Sequence, residues 1–199
     1  WNRPGHGLVN PATFIPFAES RTNLMRAIDR YVLCTACEHL SRWQREGHII
    51  PLAINLSANQ FARSDLVSEV TKLLETFGLT GTMLNLELTE GVLMTDDHQA
   101  AANMTRLRQL GIHISIDDFG TGFSSLSYLH RFPVDELKID RSFVNQIGHG
   151  DRDTPLVRAI IGIAQDLQLD VVAEGVETVA ISFVWSVLHP EHERRAGEI

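Results

Sequence analysis

Ile112-His113-Ile114-Ser115-Ile116-Asp117-Asp118-Phe119-Gly120-Thr121-Gly122-Phe123-Ser124-Ser125 runs an alternating apolar strand straight into two adjacent carboxylates, then into a loop rich in Gly and Ser. Neighbouring residues on a regular strand point to opposite faces. Asp117 and Asp118 can therefore serve neighbouring positions of one site only where the chain is leaving the strand. Gly120 and Gly122 are expected to permit that turn, because Gly tolerates backbone angles closed to other residues. A lone acid pair in a loop is ordinarily solvated, since Asp is mostly exposed. What sets this pair apart is that the pattern repeats along the chain.

Upstream, Leu84-Asn85-Leu86-Glu87-Leu88 is a second strand with a carboxylate near its finish, and Ile49 to Asn55 is a short apolar strand ending on an amide. Helical periodicity fills the gaps. Met25, Ile28, Val32, Ala36, Leu40 and Trp43 mark one face of a long helix ended by Gly47. Phe61, Leu66, Val70, Leu73, Leu74 and Phe77 mark a second, with Gly78 just past its end. A third starts near Thr95, carries Met104, Leu107 and Leu110, and stops at Gly111. The first residues, Trp1 to Val9, read as loop, and Asn10-Pro11 as a helix start. Downstream, Leu126 to His130 makes a short helix broken before Pro133, and Leu137-Lys138-Ile139-Asp140 a fourth strand. Thr154-Pro155 caps a helix with Leu156, Ile160, Ile163, Ala164 and Leu167 on its apolar face, and Asp170 to Glu174 is a fifth strand. Residues 181–199 read as a divergent tail, with a helical pattern through Phe183, Val184, Val187 and Leu188 before a charged end.

Strands alternating with helices argue for parallel pairing. The polar residues at the strand ends are Asn55, Glu87, Asp117, Lys138 and Glu174, at intervals of 32, 30, 21 and 36 residues. A (β/α)₈ barrel of about 250 residues repeats roughly every 31, and delivers every strand's carboxyl end to the face where active sites lie. The expected fold is α/β: an incomplete TIM-like barrel of about five parallel strands with helices outside, over residues 1–180.

Composition bounds the chemistry. A chain of 199 residues, 44% hydrophobic and 21% charged, can bury a sizeable core. Its formal net charge of −8 argues against DNA or RNA as a partner. A site for an anionic ligand must then be made positive locally, most simply by metal ions. No apolar run approaches the ~20 residues that span a bilayer. The chain opens on Trp1, so it is expected to be a piece of a longer product. Cys34 and Cys37 have C-x-x-C spacing but lie within a helical pattern and lack a second ligand pair, so both are expected as buried, reduced thiols.

Glu87, Asp117, Asp118 and Glu174 would gather four carboxylates at one rim, with Asn55 adding an amide oxygen and Lys138 a cation. Unrelieved, they repel and raise one another's pKa values. Oxygen donors without Cys or His favour Mg²⁺ or Mn²⁺. Adjacent aspartates suit two ions, one carboxylate bridging while the other takes the second, and two ions about 3.5–4 Å apart activate water for in-line displacement at phosphorus.

With these residues in place the chain resembles the bacterial EAL-domain family, the cyclic di-GMP phosphodiesterases. The matching stretches are Phe14-Ile15-Pro16 with Ala18-Glu19, Asn55-Leu56-Ser57, Glu87-Leu88-Thr89-Glu90, Asp117 through Ser125, Leu137 through Val144, and Ala173-Glu174-Gly175-Val176-Glu177-Thr178. The resemblance implies a cytoplasmic domain with a modified TIM barrel. It would hydrolyse cyclic di-GMP to the linear dinucleotide with Mg²⁺ or Mn²⁺. Asn55, Glu87 and Asp117 match metal ligands, and Asp118 the ligand of the second metal. Lys138 matches the residue holding the attacking water, with Glu174 beside it as metal ligand or proton acceptor. Glu90 matches an anchor for the Gly-rich loop, and Asp140 and Glu177 match supporting acids.

The family's Glu-Ala-Leu motif, whose Glu is a metal ligand, would lie just upstream of Trp1, and a later Gln-Gly-Tyr strand has no match after Ala180. Five strands cannot close a barrel, so the Asn55 and Glu174 strands are expected as open edges, apt to pair with another chain. A homodimer is one expectation, sensor domains or a membrane anchor in the parent another. The 199-residue chain by itself is expected to be inactive or nearly so. Two other readings use the same residues. One is a non-catalytic module that binds cyclic di-GMP or dimerises; the other is a different metal-using barrel acting on another phosphate or acid.

Overall fold

The structure, a computed structural model, describes residues 1–91, 98–121, 129–145, 147 and 154–175. Glu177, the loop over 122–125 and the tail over 181–199 lie outside the described residues. So do the start of the third helix and most of the expected helix at 126–130.

Trp1 to Val9, expected as loop, instead folds back as a small antiparallel hairpin, β1 (Asn2–Arg3) with β2 (Gly7–Leu8). Gly5 in the turn and Gly7 at the start of β2 take φ 77° and 74°, where a side chain would be strained. Asn10 then caps α1 (Pro11–Glu19), its side-chain oxygen accepting from the Ala12 N–H at 2.9 Å, with Pro11 at the first helical position.

Helix α2 (Thr22–Arg45) is the long amphipathic one, but its buried line is Asp29, Leu33, Ala36, Cys37 and Leu40. The expected line holds at Ala36 and Leu40, with Trp43 packed against the core, but Val32 is exposed and Leu33 is buried in its place. Apolar residues at 28, 31, 32, 33, 36, 37 and 40 cover more than one face, so periodicity alone does not select which is buried. Strand β3 (Leu52–Asn55) is shorter than expected: Ile49 and Ile50 are 76% and 55% exposed and precede the pairing. The expected second helix is two, α3 (Ala58–Phe61) and α4 (Leu66–Phe77), the latter closed by Gly78 at φ 66°.

Strand β4 (Leu84–Thr89), α5 (His98–Gln109), β5 (His113–Phe119), β6 (Glu136–Ile139), the short α6 (Arg141–Val144), α7 (Thr154–Leu167) and β7 (Asp170–Ala173) complete the chain. Thr154 is itself helical where the sequence suggests a cap. The five longer strands form one parallel sheet in the order β3-β4-β5-β6-β7, and among the described residues β3 and β7 have one neighbour each. Sequence-adjacent strands lie side by side, as right-handed βα crossovers produce in a barrel wall.

Alternation divides the sheet. Leu84, Leu86, Leu88, Ile114, Ile116, Leu137 and Ile139 are buried with Leu33 and Leu40 of α2, Val70 of α4, Met104 and Leu107 of α5 and Ile160 of α7. Burying each Leu or Ile is worth about 1.5–3 kcal/mol. This helix-covered outer face carries the stability, which leaves the other face free to be polar.

Candidate active site at the carboxyl ends of the strands

On the three central strands the inner face is polar: Asn85 and Glu87 on β4, His113, Ser115 and Asp117 on β5, Glu136 and Lys138 on β6. The register sets these side by side, Asn85 opposite His113 and Ser115 opposite both Glu87 and Glu136. The Ser115 hydroxyl donates to Asn85 Oδ1 at 3.2 Å.

At the end of β5 the register slips. Ile116 pairs with Leu137 and Phe119 with Ile139, so Asp117 and Asp118 together stand opposite the single residue Lys138. This is a β-bulge, and Asp118 makes it by adopting φ 55°. The strand does not end at the acids, as the sequence suggested; it continues to Phe119. Nor does a glycine at 120 create the turn that frees them. Asp118 does, and Asp is among the few residue types that visit the left-handed region. The bulge suspends the two-residue alternation, so two adjacent carboxylates face one site.

Lys138 is the hub. Its Nζ lies 3.0 Å from Glu87 Oε1, 2.9 Å from Asp117 Oδ1 and 2.6 Å from Glu174 Oε1. All four side chains are largely buried, the most open being Glu174 at 26%. Burial alone would push the Lys138 pKa down, but its hydrogen bonds to Glu174, Asp117 and Glu87 outweigh that and hold it above the ordinary lysine value. Asn55 joins from β3, its Nδ2 donating to Glu87 Oε2 at 3.1 Å. Asp118 is raised instead, chiefly by burial and then by Asp117, Asp140 and Glu174, with Lys138 opposing.

The five strand-end residues therefore come together. Four carboxylates face one ammonium, and one ligand atom each of Asp117, Asp118 and Glu174 lie within 4.8 Å of one another, a spacing that can share a metal ion. The donor set is hard oxygen throughout, which fits an alkaline-earth-like or Mn²⁺ ion better than a thiophilic one.

The supporting acids divide. Glu90 is buried, and its Oε2 accepts from the Gly120 N–H at 3.1 Å, which pins the start of the loop after the acid pair. Asp140 caps α6, accepting from the Ser142 N–H at 2.9 Å and from the Ser142 hydroxyl. These bonds, the Ser142 hydroxyl's first, hold its pKa below the ordinary value.

Sequence reasoning missed Asp29. It is 4% exposed on α2 and accepts from the Ser57 hydroxyl at 3.3 Å, just past the end of β3. Burial pushes it up to about 6, against the Ser57 bond and Arg63. It lines a cavity of about 390 Å³ with Ser57, Gln60 and Arg63, and the buried Gln60 Nε2 has no hydrogen-bond partner among the described residues. The available signal was an acid on the core side of an apolar helix, between Ile28 and Leu33. Both thiols are free, as expected, but one departs from the expected burial. Cys37 is buried but Cys34 is exposed, because three residues turn a helix by most of a revolution rather than a whole one.

Comparison with known proteins places the chain in a family. The EAL domain family model matches residues 1–183, and the chain belongs to the EAL domain family. It is 47% identical over 182 residues to an uncharacterized protein of Mycobacterium tuberculosis, covering 90% of this chain and 29% of that protein. It is 45% identical over 181 residues to the bifunctional diguanylate cyclase/cyclic di-GMP phosphodiesterase MucR of Pseudomonas aeruginosa, covering 90% of this chain and 26% of MucR. The chain thus spans less than a third of these relatives. Its fold superposes on the MucR phosphodiesterase in complex with cyclic di-GMP with a TM-score of 0.81 at 45% identity, covering 90% of this chain and 73% of that one.

Proposed function

We propose that this domain is a metal-dependent phosphodiesterase that hydrolyses cyclic di-GMP to the linear dinucleotide. The observation that carries the reading is the convergence of Glu87, Asp117 and Glu174 on Lys138, with Asp118 brought alongside by the bulge. The likeness to MucR, whose name includes that activity, supplies the substrate.

In this reading Asn55, Glu87, Asp117, Asp118 and Glu174 hold two Mg²⁺ or Mn²⁺ ions. Such ions supply charge neutralisation at the phosphodiester and a lowered pKa for water. The chain's own residues do the rest. Lys138, kept protonated, donates a hydrogen bond to the attacking water and offsets phosphate charge. Glu174, whose Oε1 lies 2.6 Å from Lys138 Nζ, accepts that water's proton in this reading. Glu90 fixes the loop after the acid pair, and Asp140 and Glu177 serve as supporting acids.

Calorimetry of the 199-residue chain with cyclic di-GMP, in Mn²⁺ and in EDTA, tests this. Binding that requires Mn²⁺ and weakens in Asp117→Asn is expected. Equally tight binding in EDTA, untouched by Asp117→Asn, would overturn it in favour of a non-catalytic receptor.

A further inference from the structure

The short helix α6 starts three residues after Lys138, and the sequence reading gives its side chains no task. Two glycines show what it touches. A Cβ built on Gly175, the residue after Glu174, would lie 2.7, 2.8 and 2.9 Å from Cδ, Cβ and Cγ of Arg141. A Cβ on Gly120, two residues after Asp118, would lie 3.2 Å from the Phe143 ring and 3.3 Å from Ile160 of α7. Both glycines have positive φ, 69° and 98°. The backbone thus passes against α6 at two places, each within two residues of an acid of the site.

Asp140, which caps α6, also sits close enough to Asp118 to raise its pKa. The Glu174 N–H donates to Ile139 O at 3.1 Å, so the end of β7 is tied to β6 at the residue after Lys138. The Arg141 stem packs against Gly175, the residue that follows Glu174.

We propose that Arg141 is a positioning residue: its aliphatic stem, packed on Gly175, holds the Glu174 carboxylate against Lys138, while Phe143 on Gly120 does the same for the Asp117–Asp118 bulge. The stem acts, not the charge, because the atoms close to Gly175 are Cβ, Cγ and Cδ. The inference rests on the proposed function only for what Glu174 finally binds. The geometry it explains is that of the chain's own residues: the Glu174–Lys138 pair and the stem of Arg141 against Gly175.

The test uses the fact that the chain has two lysines, Lys72 and Lys138. With ¹⁵N-lysine labelling, the buried Lys138 ammonium, held by three carboxylates, should give a slowly exchanging NMR signal in metal-free buffer, and the exposed Lys72 is the internal control. Arg141→Ala is expected to lose or shift the Lys138 signal, and Arg141→Met, which keeps a stem without charge, to retain it. Mn²⁺ affinity by electron paramagnetic resonance should fall about 10-fold or more in Arg141→Ala, the usual cost of losing a group that orients a ligand, and stay near wild type in Arg141→Met.

An unchanged Lys138 signal in Arg141→Ala overturns the proposal. So does loss of the signal in Arg141→Met, which would make the charge the active part. An Arg141→Ala chain without native helical circular dichroism would overturn it too, since Arg141 would then hold the fold and not the site. Wild-type chain that binds no Mn²⁺ while the Lys138 results hold would break the functional reading and leave the positioning role standing.

Discussion

The two faces of the sheet are built from the same strands, one residue out of phase, and they obey different physics. On the outer face Leu86, Leu88, Ile114, Ile116 and Leu137 have no measurable exposure, and their partners are helices. On the inner face Glu87, Asp117, Lys138 and Glu174 are largely buried too, but their partners are one another. Burial alone therefore does not separate structure from function here. What separates them is whether the partner is part of the fold's core or a charge that a ligand could replace.

The two faces should respond oppositely to metal. Lys138→Met leaves Glu87, Asp117 and Glu174 buried without their cation, and breaking a buried ion pair costs about 3–5 kcal/mol. Urea denaturation in EDTA should show that loss, and saturating Mn²⁺ should recover much of it, because ions that bind only the native site stabilise it by mass action. Leu86→Ala should cost about 2–5 kcal/mol on the outer face, and Mn²⁺ should recover none of the cavity's share. Equal recovery in both variants would erase the distinction between the faces.

Asp29 crosses the boundary, as an acid buried in the helix layer. Its folded pKa of about 6 stands above its ordinary 3.8, so the native state holds the proton more tightly than the unfolded chain does. The stability this gives is full below about pH 4 and is lost as pH rises through about 6. At 1.36 kcal/mol per unit the loss is at most about 3 kcal/mol. Asp29→Asn should lack that slope. Wild type and variant with parallel stability curves from pH 4 to 7 would show that Asp29 is solvated.

The bulge gives a smaller and more local test. A β-branched side chain in the left-handed region is strained by roughly 1–2 kcal/mol, so Asp118→Val should cost that much, whereas Asp118→Asn should leave stability nearly unchanged. Both should lose the Asp118 contribution to metal binding. If valine costs nothing, the strand has relaxed to a regular register and the two-against-one pairing does not hold.

How much of this could be read from the sequence follows the same division. The parallel order and the convergence of Asn55, Glu87, Asp117, Lys138 and Glu174 were legible, because a period near 30 residues and a polar residue at each strand end are both written in the chain. The mechanism that brings Asp118 alongside was not. Sequence pointed to Gly120, since Gly is the usual holder of positive φ, but the bulge is fixed by pairing with β6, and register is not a local property. The hairpin at Asn2–Leu8 was missed for a related reason, as two-residue strands carry no readable alternation. The buried face of α2 was misread at Val32 because apolar residues surround more than half of that helix, and its neighbours decided which were covered.

Helix α2 supplies the smallest expected effect. Cys34 and Cys37 lie on one helix three residues apart, one exposed and one buried. Burial, with Cys34 nearby, pushes the Cys37 thiol up to about 11, so at pH 8 it is both covered and protonated. A thiol reagent under native conditions should modify Cys34 alone, with no measurable change in stability, because Cys34 is exposed. Cys37 should react only through opening of the layer between α2 and the sheet, so Leu86→Ala should speed its modification and leave that of Cys34 unchanged. Equal rates at the two thiols would mean that α2 is not seated on the outer face, and the contrast between the faces would then lose its structural basis.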